Sequence, residues 1–273
     1  MKLRCSSHGP CQAAAAAVEA PGAKLPPGLR LAALPHQATD EALREIRAAS
    51  ASSGLRVLEL GVGFASLRAL LKLRRHHVTR ARKVWKSWTQ QRFGAEVRLL
   101  TEFPACHKLI TTASNLMGVS EPPGELNVIL RTYEPGDWLG RHVDDVRMFA
   151  EPVLAAILEP GGVRDGLRFT LPRDPVALSA ALREAEDAHR ASLRLHDLTA
   201  CDRSPQHYQV LERAGTAICL EREARFLYGH EVPKVSHPRV SMTWRWLHPR
   251  FQQEVDEVRE WLGLREASSR KER

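Results

Sequence analysis

The chain has 273 residues, 43% hydrophobic and 26% charged, with a formal net charge of +8. That balance supports a sizeable core, in one large domain with appendages or two domains at most. No run approaches the ~18 apolar residues of a bilayer span, so a soluble chain without membrane association is expected. Five scattered cysteines with no C-x-x-C pair exclude a zinc-ribbon pattern, argue against a disulfide scaffold, and point to an intracellular home in nucleus or cytoplasm.

Residues 1–38 are rich in Ala, Pro and Gly, with Glu19 the lone acid among Lys2, Arg4, Lys24 and Arg30. They are expected to form a disordered or targeting tail, and their acid-poor character leaves an organelle destination open. Residues 39–98 follow as a basic, mainly helical extension. Thr39 or Asp40 can cap a short helix through Leu43 and Ile46 to about Ala49. The segment Leu55–Gly63 then has the pattern of a strand and a glycine turn. Its VLELGVG resembles the opening of an S-adenosylmethionine-binding Rossmann unit, but the chain before the next motif is too short for further βα units.

Leu67–Trp88 is helical in character. Between Lys72 and Lys108 ten Lys and Arg face only Glu96 and Glu102. His76, His77, Trp85, Trp88 and Phe93 are interleaved, the composition of a surface that follows phosphates and stacks bases. A solvated helix face with Trp85 and Trp88 packed beneath it has the same composition.

Residues 99–250 carry the expected core. Pro104–Met117 is a helix closed by Gly118. Short strands follow at Leu126–Tyr133, Val153–Leu158, Leu167–Leu171, Gln209–Leu211, Ala217–Leu220 and Val240–Trp246, interrupted by a charged insertion at about 175–207. This texture predicts an α+β protein whose core is a β-sandwich or jelly roll with flanking helices. Residues 251–273 provide a final amphipathic helix (Phe251, Val255, Val258, Leu262) and a charged tail.

Within NVILRTYEPGDWLGRHVDD (127–145), His142 and Asp144 stand two apart. On a strand they would share a face and could reach one ion. His230 follows downstream in ARFLYGH. Two imidazoles and a carboxylate on one side of a metal leave the other side open, which suits non-haem Fe(II). In VSHPRVSMTWRWL (235–247), period two puts Arg239, Ser241, Thr243 and Arg245 on one face and Val240, Met242, Trp244 and Trp246 on the other. Two arginines on a buried face require anions, and a dicarboxylate supplies them.

The ordered set Tyr133, Gly136, His142, Asp144, His230, Arg239, Ser241, Thr243 and Arg245 resembles the AlkB-like Fe(II)/2-oxoglutarate dioxygenases over about residues 100–248. The resemblance implies a double-stranded β-helix with His142, Asp144 and His230 on Fe(II). Tyr133, Arg239, Ser241 and Arg245 would bind 2-oxoglutarate, with Arg239 and Tyr133 at its distal carboxylate and Arg245 near its oxo-acid end. O2 would be the second co-substrate, with succinate and CO2 as products. Hydroxylation of an N-methyl carbon would then release formaldehyde. Two positions depart from the family pattern: Arg131 stands where Asn is frequent, and Val146 where an acid often reads a damaged base.

The resemblance favours an N-methylated nucleic-acid base, single-stranded or flipped out, as substrate. Arg80, Arg82, Lys83, Trp85 and Trp88 would track the strand, with Trp138 and Asp145 touching substrate beside the metal. An oxygenase of protein or small molecules is the alternative, and a non-catalytic nucleic-acid binder a third reading that the intact residue set disfavours.

Overall fold

The computed structural model describes residues 25–61, 97–120, 122, 124–162, 165–171 and 207–262. The expected basic helix Leu67–Trp88, and the inserted segment up to residue 206, lie outside them. In chain order the elements are β1 (Leu29–Ala33), α1 (His36–Ser53), β2 (Val57–Gly61), β3 (Val97–Arg98) and α2 (Pro104–Leu116). There follow β4 (Leu126–Tyr133), β5 (Leu139–His142), β6 (Val153–Glu159), β7 (Arg168–Thr170), β8 (His207–Gln209), β9 (Thr216–Leu220), α3 (Arg222–Phe226), β10 (Gly229–Val232), β11 (Arg239–Trp246) and α4 (Pro249–Leu262).

The strands make a seven-stranded sheet, β1-β9-β6-β11-β4-β2-β3, and a four-stranded sheet, β5-β10-β7-β8. From β4 onward the chain passes back and forth between the two, and all of these pairings are antiparallel. That is the jelly roll expected from the strand texture, in the form of the double-stranded β-helix that the resemblance implies. Helices α1 and α2 cover the outer face of the large sheet. No helix among the described residues is long and apolar enough to cross a membrane.

Alternation along the central strands assigns each side chain to a layer. Val128 and Leu130 of β4, Leu154, Ala156 and Leu158 of β6, and Val240, Met242, Trp244 and Trp246 of β11 pack with Ala42 and Ile46 of α1 and Leu109, Ile110 and Ala113 of α2. The intervening residues Val153, Ile157, Ile218 and Leu220 face the small sheet and meet Leu167, Phe169 and Val232. A strand sandwiched between two layers must be apolar on both faces. The polar residues on the inner face of β4 and β11 are the exceptions, and they form the site described below.

Several local expectations are corrected. The helix expected from Thr39 or Asp40 begins a turn earlier, at His36. Thr39 is inside it, and its hydroxyl donates to the Pro35 carbonyl (3.0 Å) instead of capping. At the other end Gly54 is left-handed (φ 68°) and donates its N–H to Ser50, extending the helix past Ala49. The α2 helix is capped from outside by Glu45 of α1, whose carboxylate accepts the Cys106 N–H (2.8 Å) and the Ala105 N–H (3.3 Å).

The VLELGVG strand is not the start of a Rossmann unit. β2 lies antiparallel beside β4, and its turn glycine Gly61 (φ 74°) approaches the Leu126 carbonyl too closely for a side chain. Leu29–Ala33, inside the expected tail, is a strand paired along its length with β9. The large sheet therefore starts well before residue 99.

Candidate metal centre

Tyr133 ends β4, and the loop from there to β5 carries Gly136 and Trp138. Gly136 has φ 95°, a conformation that favours glycine, and its N–H donates to the Val235 carbonyl (2.8 Å) at the approach to β11. Asp137 fastens the same loop: its carboxylate accepts the Glu134 N–H (2.9 Å) and pairs with Arg56 (2.6 Å). So anchored, β5 runs antiparallel to β10 with His142 directly opposite His230.

His142, Asp144 and His230 come together with one ligand atom each, all within 4.8 Å of one another. Asp144 does not share a strand with His142, as the two-residue spacing suggested; β5 ends at His142, and Asp144 leads the following turn. It is placed there by Arg225, a buried residue of α3. Its guanidinium donates to the backbone carbonyls of Asp144 (2.8 Å), Phe149 (3.2 Å) and Asp145 (3.4 Å).

The protonation states suit a cation. His142 Nδ1 is 2.8 Å from the Gly140 carbonyl; donating to it fixes the tautomer that leaves an Nε2 lone pair. Burial, joined by the neighbouring His142, pushes the His230 imidazole down to about 3, so it is neutral at physiological pH. Burial raises the Asp144 carboxyl, but the Arg245 guanidinium and the two imidazoles more than offset this and hold it below the ordinary carboxylate range. His230 Nε2 lies 3.7 Å from Asp144 Oδ2. That is too far for a hydrogen bond, yet two metal bonds of ~2.1 Å can span it.

These residues close one part of a pocket of about 630 Å3, counted with its mouth. Ile129, Val153, Ile157 and Leu167 give it apolar walls, and Arg131, Tyr133, Arg239, Ser241, Thr243 and Arg245 line it as well. Arg245 pairs with Asp144, donates from Nε to Asn127 Oδ1 (2.9 Å), and lies 3.9 Å from the Phe149 ring centre. Arg239 is held by Glu212 in a bidentate pair, Nε to Oε2 (2.9 Å) and Nη2 to Oε1 (2.8 Å), while Nη1 donates to Ser241 (3.0 Å). The Tyr133 ring lies 5.1 Å from the same guanidinium.

Of the residues expected at substrate, Trp138 is 62% exposed and lies against Gly140, outside the pocket lining. Asp145 lies in the turn after β5, where its Oδ1 accepts the N–H groups of Arg147 (3.1 Å) and Met148 (3.3 Å). Arg80, Arg82, Lys83, Trp85 and Trp88 lie outside the described residues. Sequence reasoning missed Glu212, Asn127 and Arg225. Arg225 stands five residues before His230, but nothing in its spacing announces that it crosses to the Asp144 turn.

No family model matches the sequence, and no curated protein matches it. Among solved structures the chain is similar to a prolyl-4-hydroxylase of Pseudomonas putida, at 16% identity and a TM-score of 0.39, over 81% of this chain and 88% of that one. It is also similar to AviO1 from Streptomyces viridochromogenes Tue57, at 12% identity and a TM-score of 0.43, over 81% of this chain and 90% of the other.

Proposed function

We propose that this chain is an Fe(II)- and 2-oxoglutarate-dependent oxygenase of the AlkB-like kind. The observation that carries the reading is the convergence of His142, Asp144 and His230 within 4.8 Å in a pocket that also presents three arginines. Two neutral imidazoles and one carboxylate are the donor set of non-haem Fe(II), with positions left for an oxo acid and O2. The metal would supply O2 activation coupled to decarboxylation of the oxo acid, giving succinate, CO2 and a hydroxylated substrate carbon.

The chain's own groups do the rest. Arg245 keeps Asp144 ionised and aimed, the Gly140 carbonyl orients His142, and Arg225 sets the turn that brings the carboxylate in. The apolar walls exclude water from the reacting groups. Arg239, Arg245, Ser241 and Tyr133 orient the acid.

Two substrate classes fit the described site equally. The basic run with Arg80, Arg82, Lys83, Trp85 and Trp88 supports an N-methylated nucleic-acid base; Val146, where the family often has an acid, supports a protein or small molecule. The test is succinate and formaldehyde release by the protein loaded with Fe(II) and 2-oxoglutarate, offered methylated oligonucleotides, unmethylated controls and peptides. Formaldehyde from the methylated oligonucleotides alone is the expected result. Succinate stimulated only by peptides moves the assignment to the second class. His142→Ala and Asp144→Ala should each remove Fe(II) binding and succinate formation together; turnover that survives both substitutions sinks the reading.

A further inference from the structure

We propose that Arg131 binds a phosphodiester of the substrate strand, at a place where the pocket opens sideways between β4 and β2. The inference rests on the oxygenase reading above and names the class of substrate that the site selects.

Charge is unevenly matched in the pocket. Glu212 and Ser241 take three of the five N–H groups of Arg239. Two remain, so Arg239 keeps its part in binding the diacid. Arg245 is matched by Asp144 and Arg239 by Glu212, and a divalent metal ion is matched by a diacid. Arg131 is left over. It lines the same pocket from the inner face of β4. It is half-buried, and among the described residues no ion pair, side-chain hydrogen bond or ring contact engages its guanidinium. Such a cation is costly to hold without an anion, and it persists after metal and co-substrate are both in place. The substrate is the component still to be added.

Register shows where that component comes in. Ile157, Ser241, Arg131 and Val57 stand side by side on β6, β11, β4 and β2. Ile157 is 1% exposed and Ser241 5%, Arg131 is half-buried, and Val57 is 43% exposed. This row runs from the core to solvent, with Arg131 at the step between them. The rim beyond carries an aromatic ring: Arg56, next to Val57, pairs with Asp137 (2.6 Å), and the adjoining Trp138 is 62% exposed.

An exposed ring near an unmatched cation suits the bases and phosphates of a single strand. The net charge of +8 favours the same polyanion over an acidic peptide. At ~3.4 Å per residue, Ser241, opposite Arg131, is ~13 Å along β11 from Arg245, which marks the metal end through Asp144. The arginine's own reach covers part of that distance. A nucleotide spans the rest, its base at the metal and its backbone at the rim.

The test is a charge-deletion cycle on the protein loaded with 2-oxoglutarate and Mn(II), redox-silent in place of Fe(II). One probe is a short single-stranded DNA with one central 1-methyladenine. The other is the same strand with neutral methylphosphonates at the two linkages flanking that base. Wild type should bind the charged strand about tenfold more tightly, the worth of one charge-assisted contact. Arg131→Gln should bind the two strands within about twofold of each other, and Arg131→Lys should keep most of the preference. A wild type that binds both strands alike overturns the proposal, and this comparison does not depend on the variants folding. So does a preference of equal size in wild type and Arg131→Gln, or an Arg131→Gln protein that loses 2-oxoglutarate while its strand preference persists. Tighter binding of a polyglutamate peptide than of either strand overturns the choice of phosphate. A wild-type protein that takes up Mn(II) but no 2-oxoglutarate sinks the oxygenase reading itself, a result separate from the others.

Discussion

Arg225 is a buried cation whose hydrogen-bonded partners are three backbone carbonyls of the turn that begins at Asp144. Carbonyl dipoles stabilise a guanidinium less than a carboxylate would, so the residue holds this turn at some cost in desolvation. Arg225→Gln should therefore lower stability by ~2–4 kcal/mol in a denaturant titration. It should also weaken Mn(II) binding by ~10-fold, as loss of a group supporting a ligand generally does. Stability loss with unchanged metal affinity would make Arg225 a fold residue only. The convergence of His142, Asp144 and His230 was legible because the three stand in order with Arg239 and Arg245; an H-x-D pair alone is a common chance match. Arg225 and Glu212 were not, since nothing in a linear sequence shows which carbonyl or guanidinium a buried charge will meet.

Helix α4 is fastened to the start of β4 by Glu125. Its carboxylate takes Arg259 in a two-point pair and the Gln252 amide (2.8 Å), while its N–H donates to Gln252 Oε1 (2.9 Å). Burial raises the Glu125 carboxyl, but Arg259 and Gln252 prevail and hold it below the usual glutamate value. The depressed carboxyl contributes stability that is present above the unfolded value of about 4.3 and is lost as pH falls through the lower folded value. Arg259→Gln should thus lower Tm near neutral pH, and the gap to wild type should shrink as the pH drops below 4. A gap independent of pH would contradict this.

The amphipathic pattern of α4 and the alternation of β11 made both elements readable. β1 was not, because LRLAA is short and sits in an Ala- and Pro-rich context; only the exposed edge of β9 gives it a partner. α1 was read short because Thr39 has the chemistry of a cap, yet here it bonds back inside the helix.

Across the whole molecule, one sheet separates two kinds of packing: helices on one side, the site and the small sheet on the other. β1 closes the free edge of that sheet with Leu29, Ala32 and Leu34 in or beside it all buried. Deleting residues 1–34 should lower Tm by ~10 °C and promote association through the bared β9 edge, measured by thermal scans and light scattering. A truncated chain that melts like the full one would show β1 to be dispensable.

The small sheet has its own weak border. β5, which delivers His142, is a strand of four residues that among the described residues pairs with β10 alone, and the pairing is irregular just beyond His230. An ion held by both histidines would act as a rivet through that seam. Metal release would then be governed by unzipping of β5, and amide hydrogens along Leu139–His142 should exchange with deuterium markedly more slowly once the ion is in place.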